Sequence, residues 1–262
     1  VIKNKAAIRK MAQAGKLLSQ MFEDMRAHMR EGKSTLEIDA WIATQLKKNN
    51  LRSKSKGYMG YQHVSCISVN DVVVHGVPSS NVVLKKGDLV TVDVCASWNG
   101  YCADMARSFI VGIDHNERNK KLIEVAQIAL DKGIAQARAG NRLTDISAAV
   151  QHEVERYGFG VVRDFAGHGI GKQMHEDPEV LNYGKPGRGP VLRPGMALAI
   201  EPMITMGSYD VAIMEDGWTV KTRDRSWAAH VEDTIVITEG EPVILTRLNQ
   251  KDKSPHGKTA TE

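Results

Sequence analysis

Five side chains of metal-ligand type occupy positions that single them out: Asp93, Asp104, His168, Glu201 and Glu232. Asp93 and Asp104 flank an Asn99-Gly100 dipeptide between two β-type runs, the strongest short hairpin signal, because both turn residues accept positive φ. In that hairpin Cys95 lies opposite Asp104. Side chains alternate along a strand, so Asp93 shares a face with Cys95 and becomes a diagonal neighbour of Asp104, roughly 7 to 8 Å away along the backbone. An unpaired carboxylate in so apolar a run would be costly to bury, which favours a shared cation over two solvated edge acids. Glu201 ends the apolar run Met196-Ala-Leu-Ala-Ile. Glu232 opens a β-branched run, and its neighbour Asp233 should face the other way. His168 sits in Gly167-His168-Gly169-Ile-Gly171, among glycines that permit close approach of the backbone. About four negative charges on these carboxylates match two divalent cations plus a bridging hydroxide. One imidazole among carboxylates is an oxygen-rich donor set that favours Mn, Fe, Co or Zn in a two-metal arrangement over a structural zinc on thiolates. Such a pair, about 3.5 to 4 Å apart, acidifies water and polarises a carbonyl, so the chemistry expected is hydrolysis.

The elements that must hold these residues come in two copies. Gly32-Lys-Ser-Thr-Leu-Glu-Ile38 matches Gly140-Asn-Arg-Leu-Thr-Asp-Ile146, and Lys86-Gly87 to Asp93 matches Pro194-Gly195 to Glu201, at one offset of 108 residues. Glu201 is thereby the counterpart of Asp93. Each copy opens with a helix of apolar residues at helical spacing, Ala6 to Arg30 and Lys120 to Arg138, stopped by Gly32 and Gly140. A second helix follows, Thr35 to Lys48 and Thr144 to Tyr157, capped by Ser34 or Thr35 and by Thr144 or Asp145. Strands are expected over Val64–Val69, Leu89–Ala96, Tyr101–Val111, Ala197–Ile204, Val211–Met214 and Ala229–Ile237. The prediction is an α+β fold: two helix-helix-strand units, about residues 6–113 and 114–248, joined through their strands into one curved antiparallel sheet with the site at the seam. Met21, Met25 and Met29 lie on one helical face and read as core filling.

Composition narrows the class. With 42% hydrophobic residues and no apolar run near the roughly 18 to 20 that span a bilayer, a globular, cytoplasmic protein without a membrane segment is expected. Three cysteines without a C-x-x-C pair suit reduced, buried thiols. The 35 basic and 31 acidic residues nearly balance, so sequence-specific nucleic-acid binding is not indicated. Residues 1–250 are expected to form one catalytic domain, and 251–262 a polar tail.

The motifs together carry a resemblance. They are Ile67 to Asp71 with Val74-His75-Gly-Val-Pro78, Asp93 and Asp104 eleven apart, Gly167-His168-Gly-Ile-Gly171, Met174-His175-Glu-Asp-Pro178, Ala199-Ile-Glu201-Pro, Asp216-Gly-Trp218 and Glu232-Asp-Thr. With them residues 6–248 resemble the type 1 methionine aminopeptidases, of the pita-bread fold shared with prolidases and creatinase. The resemblance implies removal of the initiator methionine from nascent polypeptides. Asp93 would then chelate one metal, His168 and Glu201 the other, and Asp104 with Glu232 would bridge the pair. His75 and His175 would flank the scissile amide, Glu201 would shuttle the proton, and the methionine side chain would sit among Tyr58, Tyr61, Cys66, Met174 and Trp218. Two positions depart from the family: Met174 where an aromatic Phe is usual, and Asp233 where some relatives have His. Prolidases usually carry an extra N-terminal domain, for which the 92 residues before Asp93 leave no room. Type 2 enzymes carry an insertion before the last glutamate, whereas Glu201 and Glu232 are 31 apart. A binding protein that had lost its ligands would not retain all five. A monomer is expected, and a ribosome contact would run through Lys47, Lys48, Arg52, Lys54 and Lys56, or through Lys221, Arg223 and Arg225.

Overall fold

The computed structural model describes residues 2–112 and 116–248, so the expected polar tail lies outside the described residues, as does the junction of the two copies at 113/114. The first copy contains α1 (Lys5–Met25), α2 (Thr35–Lys48), β1 (Arg52–Ser53), β2 (Cys66–Val69), β3 (Val72–Val74), β4 (Leu89–Trp98) and β5 (Tyr101–Ile110). The second opens with α3 (Glu117–Gln136), α4 (Leu143–Glu155), β6 (Gly160–Val161), β7 (Gly167–Gly169) and β8 (Glu176–Val180). It continues with β9 (Ala197–Ile200), β10 (Met203–Thr205), β11 (Val211–Ile213), β12 (Val220–Thr222), β13 (Ala228–His230), β14 (Glu232–Val236) and β15 (Val243–Ile244). Among the described residues, no helix is long and apolar enough to cross a membrane.

Local chemistry explains the helix starts. Asn4 accepts from the Ala7 amide at the head of α1, and Ser34 and Glu37 cap α2 reciprocally. At α4 the expected cap, Thr144 or Asp145, is displaced: Arg142 precedes the first turn, and the Asp145 carboxylate reaches back to its N–H at 2.7 Å. α1 ends at Met25 and tightens into a 3₁₀ turn over Arg26–His28, short of the expected Arg30.

The offset of 108 is visible bond by bond. The Gly32 amide donates to Leu84 O at 2.9 Å and that of Gly140 to Leu192 O at 3.0 Å; Leu84 N donates to Lys33 O and Leu192 N to Asn141 O, both at 2.8 Å. Gly32 and Gly140 hold φ of +82° and +92°, the left-handed region where a side chain would be strained. Each copy has its own core. Leu18, Met21, Met25, Met29, Ile38 and Ile42 pack on Val90, Val92, Val94 and Met105, which places the methionine stripe in the core as expected. Leu122, Ala126, Leu130, Ile146 and Val150 pack on Leu198, Ile200 and Ile235.

The expected antiparallel sheet has nine strands, and two further sheets have three strands each. The main order is β1-β4-β5-β14-β9-β7-β8, with β2 added on β4 and β15 on β14, so the copies meet where β5 pairs β14. The expected strand Ala197–Ile204 is two strands. Pro202 has no N–H to continue the ladder, so β9 stays in the main sheet while β10 joins β13 and β6. Likewise Ala229–Ile237 divides at Val231 into β13 and β14, and β11 pairs in a third sheet with β12 and β3. Each division occurs beside an expected metal ligand.

One buried carboxylate ties the first helical layer to the sheet. Asp39 on α2 accepts from the amides of Val64 and Ser65 at 3.1 and 3.0 Å and from the Ser65 hydroxyl at 2.7 Å, fixing the loop that leads into β2. Asp39→Ala strands two buried amide donors and should lower unfolding free energy by about 2 to 4 kcal/mol in urea titrations; a loss under about 0.5 kcal/mol would show that water replaces the carboxylate.

Candidate metal centre

The β4–β5 hairpin turns on Asn99 and Gly100 with φ of +47° and +81°, and Cys95 pairs Asp104 as the sequence requires. Asp93 pairs Ala106, and Ala106 pairs Glu232 across the seam, so Asp93, Ala106 and Glu232 form one row over three strands. Asp104 projects from the same face two residues along the middle strand. Ala106 is fully buried and small, which keeps the space between the two outer carboxylates open. The seam has only two registered pairs, and side chains complete it. The Thr234 hydroxyl lies 2.8 Å from the Asp104 amide and 2.9 Å from its carbonyl, accepting from one and donating to the other. Asp233 faces away from Glu232, as expected, and its buried carboxylate meets Arg107 and Arg247, each at 2.6 Å.

From the second copy, β7 places His168 opposite Ala199, and Glu201 follows directly after β9. The His168 Nδ1 lies 3.0 Å from the Gly169 carbonyl, to which it donates, leaving the Nε2 lone pair toward Asp104 Oδ2 at 3.8 Å and Glu201 Oε1 at 3.6 Å. Asp104, His168 and Glu232 each offer a ligand atom within 4.8 Å of the others. The Glu232 Oε1 is buried without a hydrogen-bond partner among the described residues.

Electrostatics confirm a deficit of positive charge. Burial and then the Glu201 charge push Asp104 up to about 7, and burial pushes Glu201 up to about 8. Asp93 and Glu232 are raised well above the carboxylate range by burial and by Asp104. His168 is lowered to about 4 by burial and His175, so its imidazole is neutral and can ligate. Crowded buried carboxylates, an unpartnered carboxylate oxygen and a neutral imidazole with its lone pair directed inward fit divalent cations.

All the ligand-type and pocket side chains expected from sequence line one cavity of about 630 Å³. His75, at φ +57°, sets its ring edge-on to Phe165 and is lowered to about 4, by burial first and then by His230 and His175. His175 packs edge-on to His168 at 4.4 Å between ring centres, and its Nδ1 lies 3.2 Å from the Tyr58 hydroxyl. Tyr61 is half of a T-shaped pair with Trp218 at 4.9 Å and donates to Ser65 O. Cys66 lies opposite Asp93, and burial with that charge raises its thiol pKa, so it serves as a protonated wall and not as a thiolate ligand. Met174 lines the cavity and packs against the cluster of Met11, Cys95 and Ile170. The expected basic cluster after Trp218 is partly neutralised, since Lys221 pairs with Asp71 at 3.3 Å.

His230 also lines this cavity and was not among the expected residues. A signal existed: two residues before Glu232, it would share that residue's face in a regular strand.

The model of metallopeptidase family M24 matches residues 9–239. A methionine aminopeptidase of Clostridium acetobutylicum is 47% identical over 246 residues, 94% of this chain and 98% of that protein. The crystal structure of methionine aminopeptidase from Thermotoga maritima superposes with a TM-score of 0.92 at 44% identity, over 95% of this chain and 99% of that one. The prolidase from Pyrococcus furiosus aligns at TM-score 0.76 and 25% identity, and there 95% of this chain covers 66% of the longer protein. With the fold, the donor set and nearly full-length similarity in agreement, the chain belongs to metallopeptidase family M24, in its methionine aminopeptidase group.

Proposed function

We propose that this chain is a single-domain methionyl aminopeptidase over residues 1–250 that removes the initiator methionine from nascent polypeptides, acting as a cytoplasmic monomer. The observation that carries this reading is a buried oxygen-rich cluster next to a pocket walled by Tyr58, Tyr61, Cys66, Met174 and Trp218, where sulfur and rings suit a thioether. Asp93, Asp104, His168, Glu201 and Glu232 would hold two divalent cations, Co, Mn, Fe or Zn. Bound there, such cations supply Lewis acidity toward an amide carbonyl and lower the pKa of water. The chain's own groups do the rest. With the Tyr58 hydroxyl donating to Nδ1, neutral His175 keeps its proton on Nε2 and can donate to the amide oxygen as it gains charge. His75 positions the amide from the other copy, and Glu201 takes a proton from the attacking water and returns it to the leaving amine nitrogen. The ribosome surface is the proposed partner, met through Lys47, Lys48, Arg52, Lys54 and Lys56 or through Lys221, Arg223 and Arg225.

The deciding assay is methionine release from Met-Ala-Ser after reconstitution with each of the four metals. Turnover is expected with at least one, and cleavage of Xaa-Pro peptides in its place would make the chain a prolidase. Asp104→Ala should stay folded and lose both tight metal binding and activity; two tightly held metals in that variant would refute the ligand set.

His175→Ala should lower kcat by about 100-fold, the scale of one lost oxyanion donor. A change confined to KM would make His175 a binding residue only.

The raised carboxylates set a pH dependence for the metal-free protein. Their folded pKa values exceed the unfolded ones, so the stability they contribute is complete below about pH 4 and is lost as pH rises through about 7 and 8. Chelator-treated protein should therefore lose thermal stability between pH 5 and 8, and the gain in Tm on adding Mn should grow over that range. A gain that is flat or shrinks with pH would contradict this charge assignment.

A further inference from the structure

We propose that His230 is a positioning residue for Glu201, its imidazole N–H held to one carboxylate oxygen so that the other stays with His168 at the metal centre. The inference rests on the metal-centre reading above and adds a residue to it. His230 is 1% exposed, and its Nε2 has no hydrogen-bond partner among the described residues. That atom lies 3.3 Å from Glu201 Oε2, while His168 Nε2 lies 3.6 Å from Oε1. The two oxygens of one carboxylate are thus each faced by a different imidazole.

The surroundings make this division of labour necessary. Glu201 stands just outside β9, where Pro202 interrupts the ladder, so strand pairing does not fix the carboxylate. Its main chain is held, with Asn182 Nδ2 donating to Glu201 O at 2.9 Å, but two methylenes still separate the backbone from the carboxylate. A carboxylate with two equivalent oxygens on such a stem could present either oxygen, or both, to a cation. A donor fixed against Oε2 removes that choice, and an orienting bond of this kind commonly sets ligand geometry and basicity.

His230 is placed to be that fixed donor. Its amide and carbonyl both bond the Ser108 hydroxyl, at 3.3 and 3.0 Å, and Ser108 is held in turn by Thr91 at 2.7 Å. β13 pairs His230 with Met203 just after the Pro202 break, and the Val231 amide donates to Pro202 O. The donor and the carboxylate it would orient are therefore mounted on one stretch of backbone pairing. A buried ring nitrogen without a partner is unfavourable, and with the imidazole proton on Nε2 the Glu201 oxygen beside it is an acceptor that meets the need.

The test uses full-length protein reconstituted with Co(II), comparing wild type, His230→Gln and His230→Leu. Gln offers an amide N–H of similar reach, and Leu has the bulk without the donor. Expected are a kcat on Met-Ala-Ser within about threefold of wild type for Gln, and about 30-fold lower for Leu with KM within about twofold. Titration with Co(II) alone should give the wild-type stoichiometry in both, with Leu bound about tenfold more weakly and its visible absorption band shifted. The proposal is overturned if Leu keeps the wild-type kcat, if Gln falls as far as Leu, or if the loss lies in KM. It is overturned too if Leu loses a whole equivalent of Co(II), which would make His230 a ligand. Should Leu not fold, His230→Asn, with its donor one methylene short, must lose kcat where Gln keeps it. Wild type that turns over no Met-Ala-Ser with any metal refutes the proposed function separately, and the Co(II) titration still decides the place of His230.

Discussion

Mutual repulsion among Asp93, Asp104, Glu201 and Glu232 is the constraint on which the rest of the structure depends. Two unit charges about 4 Å apart repel by about 4 kcal/mol at the effective dielectric of a protein surface, and more where water is excluded. The fold brings these groups onto one buried face, and their raised pKa values record the cost. Cations bound there would relieve it, but the backbone holds these side chains close without them. Thr234 does so by bonding both main-chain groups of Asp104 across a seam of two registered pairs. Behind the sheet, Asp233 draws Arg107 and Arg247 together, and Arg107 also donates to the carbonyl of Glu232. The like charges on the front face are balanced by a charge-paired, hydrogen-bonded rivet on the back.

The duplicated plan explains why two of the candidate ligands occur where they do. Asp93 and Glu201 are equivalent by the offset of 108, yet they end up in different settings. Asp93 lies inside a ten-residue strand with neighbours on both sides, β2 and β5. Glu201 lies at a break, because Pro202 releases the chain into a second sheet. The longer side chain sits where the backbone is less constrained, and extra polar contacts gather there: Asn182 on its carbonyl, His168 and His230 near its carboxylate.

Much of this was legible in the residue pattern, and what was not has identifiable causes. The Asn99-Gly100 turn alone determines that Asp93 and Asp104 share a face, since only one register fits two residues at positive φ. The repeat located Glu201, and alternation separated Glu232 from Asp233. The sheet switch at Val231 was not legible, because the apolar run continues through it without a change of period, whereas Pro202 is a readable break in its run. Strands of two or three residues, such as β6, β7 and β12, carry too little pattern to be found, and their pairing is decided by partners distant in sequence. His230 shares the face of Glu232 in an unbroken strand, but the pattern gives it no partner; its approach to Glu201 is set by the pairing of β13 with β10. The cap of α4 was misplaced because Arg142 is a poor cap by type, and it is the Asp145 side chain that satisfies the free amide.

Symmetry also had to be broken for a peptide to be read in one direction. Of the cavity walls, Tyr58 and Tyr61, on the segment before the residues Asp39 anchors, and Cys66, at the start of β2, come from the first copy. Met174, His175 and Trp218 come from the second. His75 and His175 belong to different copies, and their neighbours differ, Phe165 for one and Tyr58 with His168 for the other. A strictly two-fold site would present equal surfaces to both sides of a scissile bond. Here the two halves contribute the equivalent carboxylates Asp93 and Glu201 to the cluster and unlike side chains to its flanks, so the cluster is symmetric in origin while the cavity around it is not.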